Sequence, residues 1–332
     1  MRFYKITAFI IALALIVLPL TAFDSSPADT GETQAENKTD VTGKDSRKNE
    51  AVKVFMREDD LVLSITAEEY LIGVLAAEML PTYHEQALCA QAVAAYTYLL
   101  YKKSEQEKSP DASLKGAYLS NDTSTHQGYL TEEERAEKWG DKADSYEKKL
   151  TKAVEAVKGK VITYEGKPII AAFHANNCGV TQSAETVWGN AVPYLKSVNS
   201  VGDKLSPDCI KTVVLSASEF SQAVGTLQGC ELSGASDTWI KNVETDENGY
   251  VQSLEIGGAK ITGLKARDVL GLRSAVFTVE TQDDGLRFTT QGYGHGVGMS
   301  QYGADYMARQ GSTWQEILKH YYTGVEIEDY NA

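Results

Sequence analysis

Thr66 to Pro81 reads TAEEYLIGVLAAEMLP, and the fold becomes legible there. Thr66 and Glu69 fit a capping box, apolar residues follow at helical spacing, and Pro81 marks the stop. Leu71, Val74 and Leu75 lie seven, four and three residues before Glu78, so they share its face. A carboxyl therefore stands where a core residue is expected. Two readings are open. A Glu at a helix end can turn to solvent or pair with a cation. Alternatively, apolar neighbours strip its hydration, raise its pKa and keep it protonated as a general acid.

Upstream of this helix, VKVFM and LVLSI (Leu61 to Ile65) read as two short strands around the turn Arg57 to Asp60. Downstream, a second helix is expected from about His84 to Lys103. It is rich in Ala and closes on Lys102 and Lys103, which suit the C-terminal end of the helix dipole. Lys102 to Asp122 reads as a polar surface loop, and Glu132 to Lys149 as an amphipathic helix. From Lys160 the pattern turns strand-rich: VITY, PIIAAFH, TVVL, YVQSLEIG, AKITG and VFTVE. Two helices close the chain. Met299 to Arg309 stops at Gly311, and Ser312 with Gln315 fits a capping box for Ser312 to Tyr322. No internal repeat is present. The expected class is α+β, a helical part and a strand-rich part with a cleft between them.

The N-terminus carries Arg2 and Lys5, then an uncharged run from Ile6 to Phe23. Residues 1–23 read as a signal or membrane anchor, with no clean small-x-small cleavage site before Asp24. The basic flank places the remainder outside the cytoplasm. Residues 24–50 are polar, with Val41 their only branched aliphatic, and read as a disordered linker. Residues 51–330 are the folded region. The 332 residues, 42% of them hydrophobic, are enough for a sizeable core. A formal net charge of −14 argues against nucleic acid, which needs a basic footprint.

Two further stretches could carry chemistry. In GYGHGVGMSQYG, Gly292, Gly294, Gly296 and Gly298 alternate with Tyr293, His295, Val297 and Met299. As an extended strand this bares one face, where a backbone or ligand could approach. It is not a dinucleotide fingerprint. Tyr293, His295, Gln301 and Tyr302 are good sugar-contacting types, though a turn-rich linker is the plain alternative. In FHANNCGVTQSAETVW, His174 and Cys178 have helical spacing for a metal, but NNCG reads as a turn and two ligands are too few. A polar binding loop is the better reading. The other cysteines are Cys89, expected in the core, and Cys209 and Cys230, which could close a loop in an exported chain. His126 sits in a polar stretch. No G-x-S-x-G or H-E-x-x-H occurs, so the commonest serine-hydrolase and zinc-peptidase signals are missing.

Taken in order, several segments resemble the stage II sporulation protein D family. They are EEYLIGVLAAEM with ALCAQAVAAYTYLLYKK, FHANNCGVTQSAETVWGNAVPYLKSV, ITGLKARDVLGLRSAVFTV, and GYGHGVGMSQYGADYMARQG followed by ILKHYYTG. The resemblance implies a membrane-anchored lytic transglycosylase with Glu78 as catalytic acid and no cofactor or metal. The substrate implied is peptidoglycan glycan strands stripped of peptide by a partner amidase, with membrane proteins as further partners. The muramic 6-hydroxyl would supply the nucleophile, so one carboxylate suffices where ordinary glycosidases need two. Gln91, Tyr96, His174, Tyr293, His295, Gln301 and Tyr302 are the expected glycan-binding residues. The chain departs from the family pattern at Leu80, which separates Met79 from Pro81. It also departs at Tyr96, where the family has Arg, and at Cys178. Two other functions stay open: a non-enzymatic module that enhances an amidase, and a zinc hydrolase using His174, Cys178 and His295.

Overall fold

Two large apolar clusters organise residues 51–330, the part of the chain described by the computed structural model. The expected anchor and linker, residues 1–50, lie outside the described residues. No helix among the described residues is long and apolar enough to cross a membrane.

The first half builds most of the first cluster. Strands β1 (Val52–Met56) and β2 (Leu61–Ile65) form the expected antiparallel hairpin. Helix α1 (Ala67–Glu78) follows, then α2 (Glu85–Lys108). The short β3 (Leu119–Ser120) adds to β1 in parallel. Helices α3 (Glu132–Trp139) and α4 (Ala143–Ala156) are one expected helix broken at Gly140, whose φ of 52° no ordinary helical residue adopts. Strand β4 (Lys160–Tyr164) pairs with β5 (Lys167–Pro168), and β6 (Phe173–His174) is brief. PIIAAFH is therefore not one strand; only its two ends pair.

Helix α1 is buried from Tyr70 to Ala76 on every side, so its apolar run is a core helix rather than an amphipathic one. Its capping box is half made. The Thr66 side chain accepts from Glu69 N at 3.1 Å, but the Glu69 carboxylate turns away to Arg135 at 3.0 Å. Arg135 is wholly buried and also meets Glu147 at 2.8 Å and Leu130 O at 2.9 Å. A buried cation needs such partners more than a helix end needs a second cap. Helix α2 starts at its His84 cap as expected and runs further, to Lys108. Its alanines let it approach α1 and α4 closely, and Cys89 sits in the core as expected.

The strand-rich part forms the second cluster. After α5 (Ala184–Trp188) come β7 (Ile210–Ser216), α6 (Ala217–Val224), β8 (Ile240–Thr245), β9 (Val251–Ile256), β10 (Ala259–Thr262), α7 (Gly263–Leu270), β11 (Phe277–Gln282) and β12 (Gly285–Gln291). They make two antiparallel three-stranded sheets, ordered β10-β9-β8 and β11-β12-β7. Phe220, Phe277 and Phe288 are at their centre. Then β13 (Met299–Ser300), α8 (Gln301–Arg309), α9 (Trp314–Tyr321) and β14 (Glu326–Asp329) return to the first cluster. Helix α9 is capped by Thr313 with Glu316, one residue later than the expected Ser312 with Gln315. The class is mixed α+β.

One expectation about covalent structure is corrected. Cys209 does not pair with Cys230; it forms a disulfide with Cys178, and Cys230 is free. The bridge closes a loop across a separation of 31 residues. Replacing Cys178 and Cys209 by Ala together should lower the unfolding free energy by about 3–4 kcal/mol, the loop-closure value for that length. Cys230→Ala should change it little. Denaturant titrations without reductant check both, and a loss in Cys230→Ala as large as in the double variant would restore the Cys209–Cys230 pairing.

Candidate functional site

Glu78 is the last residue of α1, and its surroundings are built by three segments. The first is α1 itself, with Leu71, Val74 and Leu75 buried on the same face as expected. The second is the stretch before α3. Gly73 has no side chain, and a Cβ there would lie 2.3 Å from the Tyr129 ring and 2.6 Å from Leu130 O. That close approach lays residues 127–130 along α1, with Leu130 N donating to Gly73 O at 3.2 Å. Gln127 is pinned by its Nε2, which donates to Tyr70 Oη and to Ala95 O. The next residue, Gly128, then points its N–H at Glu78 Oε1 at 2.5 Å. The third segment is the start of α8, where the Gln301 amide faces the same carboxyl.

These groups pull Glu78 in opposite directions. Burial raises its pKa above the usual carboxylate range. The Gly128 N–H, the Gln301 amide and the Lys138 ammonium each favour the ionised form and oppose that rise. Gln301 Nε2 meets no acceptor at full hydrogen-bond geometry, so its influence is the looser of the two donors. Burial prevails. Glu78 is nevertheless partly exposed as a residue, so an acid with raised pKa has an opening to solvent.

A second group of side chains gathers on the glycine run. The expected extended strand with one bare face is not what forms. Gly292, Gly294, Gly296 and Gly298 have φ of 83°, 114°, 81° and 74°, so every second residue is left-handed and the run is a string of turns. The close approach expected at these glycines is real, and the partner is the chain's own residues 172–182. A Cβ on Gly298 would lie 2.0 Å from Ala172 O, and one on Gly294 2.8 Å from His174 Cβ. The two segments also exchange backbone hydrogen bonds: Gln182 N to Gly296 O at 2.7 Å, and Tyr293 N to Asn176 O at 2.8 Å.

His174 and His295 face each other there, ring centroids 5.8 Å apart, with Trp188 a further 5.8 Å beyond His295. His174 Nδ1 lies 3.1 Å from Val297 O, which only accepts, so the proton is on Nδ1; Nε2 then accepts from Asn177 Nδ2 at 3.1 Å. His295 is fixed the other way, its Nδ1 accepting from Val297 N at 3.0 Å. Burial holds both rings neutral, His174 down to about 3 and His295 to about 4; the nearby His295 adds to this at His174, and Arg267 adds to it at His295. Tyr293 is exposed beneath Arg273, 5.0 Å from ring to guanidinium. Tyr302 donates to Leu205 O at 3.0 Å and meets Tyr83 edge-on.

Gln91 and Tyr96, the expected residues on α2, have these surroundings. Gln91 is wholly buried in α2 and both its amide atoms lack partners. Tyr96 meets Tyr330 edge-on, at the far end of the chain. Cys178 is committed to its disulfide, so no thiolate stands beside His174. Among the described residues no three His, Cys, Asp or Glu side chains group to hold a metal. Three residues were not singled out from sequence: Gly128, Trp188 and Asp203. Trp188 ends a stretch already marked as a binding loop, whereas nothing local distinguishes Gly128 or Asp203. Asp203 is wholly buried, and burial pushes its carboxyl up to about 6.

Known proteins resemble this chain along most of its length. The Stage II sporulation protein family model matches residues 57–164, which include α1 and Gly128. A stage II sporulation protein D from Bacillus amyloliquefaciens is 40% identical over 84% of this chain and 79% of its own length. One from Bacillus subtilis is 35% identical over 100% and 97%. The chain belongs to the stage II sporulation protein D family. A Bacillus subtilis amidase enhancer is 29% identical over 78% of this chain and 40% of its own length. Membership of the stage II sporulation protein D family is thus carried by nearly the whole described region rather than by one motif.

Two measurements test the electrostatics. Between about pH 3 and 6.5 the native state binds fewer protons at His174 than the unfolded chain, so this group's stabilisation is lost as the pH falls. His174→Gln should flatten the loss by roughly 1 kcal/mol per pH unit. Asp203 acts in the opposite sense between its ordinary value and about 6, so the comparison is between variant and parent. Equal slopes in both would contradict the buried neutral His174. In Gly128→Ala the new Cβ would press on Glu78 Oε1 at 3.0 Å. The displaced N–H should let the Glu78 pKa rise, read by NMR titration of labelled Glu; an unchanged midpoint would remove Gly128 from the site.

Proposed function

We propose that this protein is a lytic transglycosylase that cleaves peptide-stripped peptidoglycan strands during sporulation, with Glu78 as its acid. The observation that carries the reading is Glu78 itself: a carboxyl with raised pKa, held by the Gly128 N–H, faced by the Gln301 amide and still partly open to solvent. Its proton passes to the glycosidic oxygen as the bond from muramic C1 breaks. The muramic 6-hydroxyl oxygen then bonds to C1, and its proton returns to the Glu78 carboxylate. Water takes no part, and the product is a 1,6-anhydro end.

Hydrolytic glycosidases place two carboxyl groups about the scissile bond. The other carboxyl with a raised pKa linked to this region, Asp203, has no exposed surface with which to reach a sugar. A nucleophile supplied by the substrate is consistent with that arrangement. The glycan would lie in a cleft walled by Trp188, Tyr293 and Tyr302, the first two of which are exposed. His174 and His295, held neutral, would shape that wall without repelling or attracting charge. Residues 1–23 would tether the enzyme outside the cytoplasm, and residues 24–50 would give it reach.

A second reading has a specific observation in its favour, the likeness to an amidase enhancer. A glycan-binding module that recruits an amidase would bind strands without generating new ends.

Glu78→Gln should fold and bind glycan as the parent does and lose cleavage by at least 10²-fold, the lower range for one general acid. Mass spectrometry of peptide-free strands checks this. Anhydromuramic ends from the parent alone support the proposal, whereas binding without cleavage in both moves the function to the enhancer. The acid form does the work, so parent activity should fall as pH rises through the Glu78 pKa. Gln301→Ala removes a group favouring the carboxylate and should move that fall to higher pH.

A further inference from the structure

We infer that Asp203 is a positioning residue that holds Gln301 against Glu78. Asp203 lies between β6 and β7 in sequence, in a short turn of 3₁₀-helix, Val201–Leu205, and is wholly buried. Its Oδ1 accepts from Ser300 Oγ at 2.7 Å. The same Ser300 oxygen caps α8 by accepting from Gly303 N at 3.1 Å. Ser300 immediately precedes Gln301, the residue whose amide faces Glu78. One carboxylate thus sets the end of the helix that presents one of the two donors to the acid.

The groups around Asp203 are what a carboxylate requires. Besides the Ser300 hydroxyl, the backbone N–H groups of Asn177 and Gly303 and the Ser200 hydroxyl turn towards it and oppose the effect of burial. Ser200 in turn bonds Tyr321 Oη at 2.6 Å, which ties the network to α9. Tyr321 and Tyr83 are titratable groups that sense this charge. The turn is held on α8 by packing as well: a Cβ on Gly202 would lie 2.3 Å from the Tyr306 ring, and Tyr302 Oη bonds Leu205 O. Such a network costs more than it returns unless it is satisfied, and its oxygen Oδ2 makes no bond at full geometry. A purely structural turn needs no ionisable group here. An apolar residue packed on α8 would serve.

The groups acting on the Glu78 carboxyl are Gly128, Gln301 and Lys138, so Asp203 reaches it through Gln301 and not by its own charge. Asp203→Asn tests this. An amide of the same shape accepts with one oxygen only and sets an N–H₂ against surrounding donors, which should shift Ser300 and Gln301. The readout is the Glu78 titration midpoint by NMR of labelled Glu, in the parent, Asp203→Asn, Gln301→Ala and the double variant. Gln301→Ala should raise the midpoint by about half a pH unit, the value of one modest hydrogen bond. Asp203→Asn should raise it in the same direction, and the double variant should go no further than Gln301→Ala.

A midpoint unmoved in Asp203→Asn, or additive shifts in the double variant, would overturn the inference; removal of a nearby negative charge alone would move it down. If Asp203→Asn does not fold, Ser300→Ala cuts the same link and Ser300→Thr restores it, with the same expected ranking. The inference rests on Glu78 being the acid for its functional meaning, and there the expected effect is a roughly tenfold lower kcat with KM unchanged. The titration needs no turnover. A parent without cleavage would therefore sink the proposed activity and leave the positioning role to be judged on the midpoints.

Discussion

The structure depends on backbone segments that touch where no Cβ intervenes. At Gly73 the Tyr129 ring and Leu130 carbonyl rest directly on α1. At Gly298 the chain rests on the carbonyl of Ala172. The first contact delivers Gly128 to Glu78, and the second brings β13, and hence Gln301, beside β6. Any side chain at either point would push apart the pieces that meet at the acid. Close packing of this kind also explains why so polar a site sits on a cluster as dry as that around α1 and α2. The helices are drawn together by burial of apolar surface, and the site occupies the margin where they end.

Much of this was legible in the sequence. The β1–β2 hairpin, the starts of α1 and α2, the burial of Leu71, Val74 and Leu75, and the helix ending before Gly311 follow from periodicity and capping alone. Expectations failed where tertiary partners outbid local pattern. Glu69 left its capping role for a buried Arg135. PIIAAFH has the composition of a strand, but only its ends have neighbours to pair with. The alternating glycines have the period of a strand, yet packing on residues 172–182 draws every second one into the left-handed region.

The site itself was half legible. Glu78 was readable because a carboxyl on an apolar helix face is anomalous in sequence. His174 and His295 were both expected at the site, but no local pattern shows that their rings face each other across more than a hundred positions. Asp203 and Gly128 carry no anomaly at all until the fold surrounds them. The cysteine pairing failed for a similar reason: nearness along the chain pointed to Cys209 with Cys230, whereas the glycine run bonds to the loops of both Cys178 and Cys209 and brings those two together.

The strand-rich cluster leaves the first one at Cys209 and rejoins it at Gly292, and the two ends are bonded to each other, Gly292 N to Cys209 O at 2.7 Å. Residues 210–291 are therefore a cassette. It departs from and returns to a single doorway, clamped on one side by the Cys178 bridge and on the other by the Asn176–Tyr293 pair. Its core is made of its own residues. An insertion with adjoining ends and a private interior can be lengthened, exchanged or shortened without rethreading its host. The acid and the residues that support it all belong to the host, on the other side of that doorway.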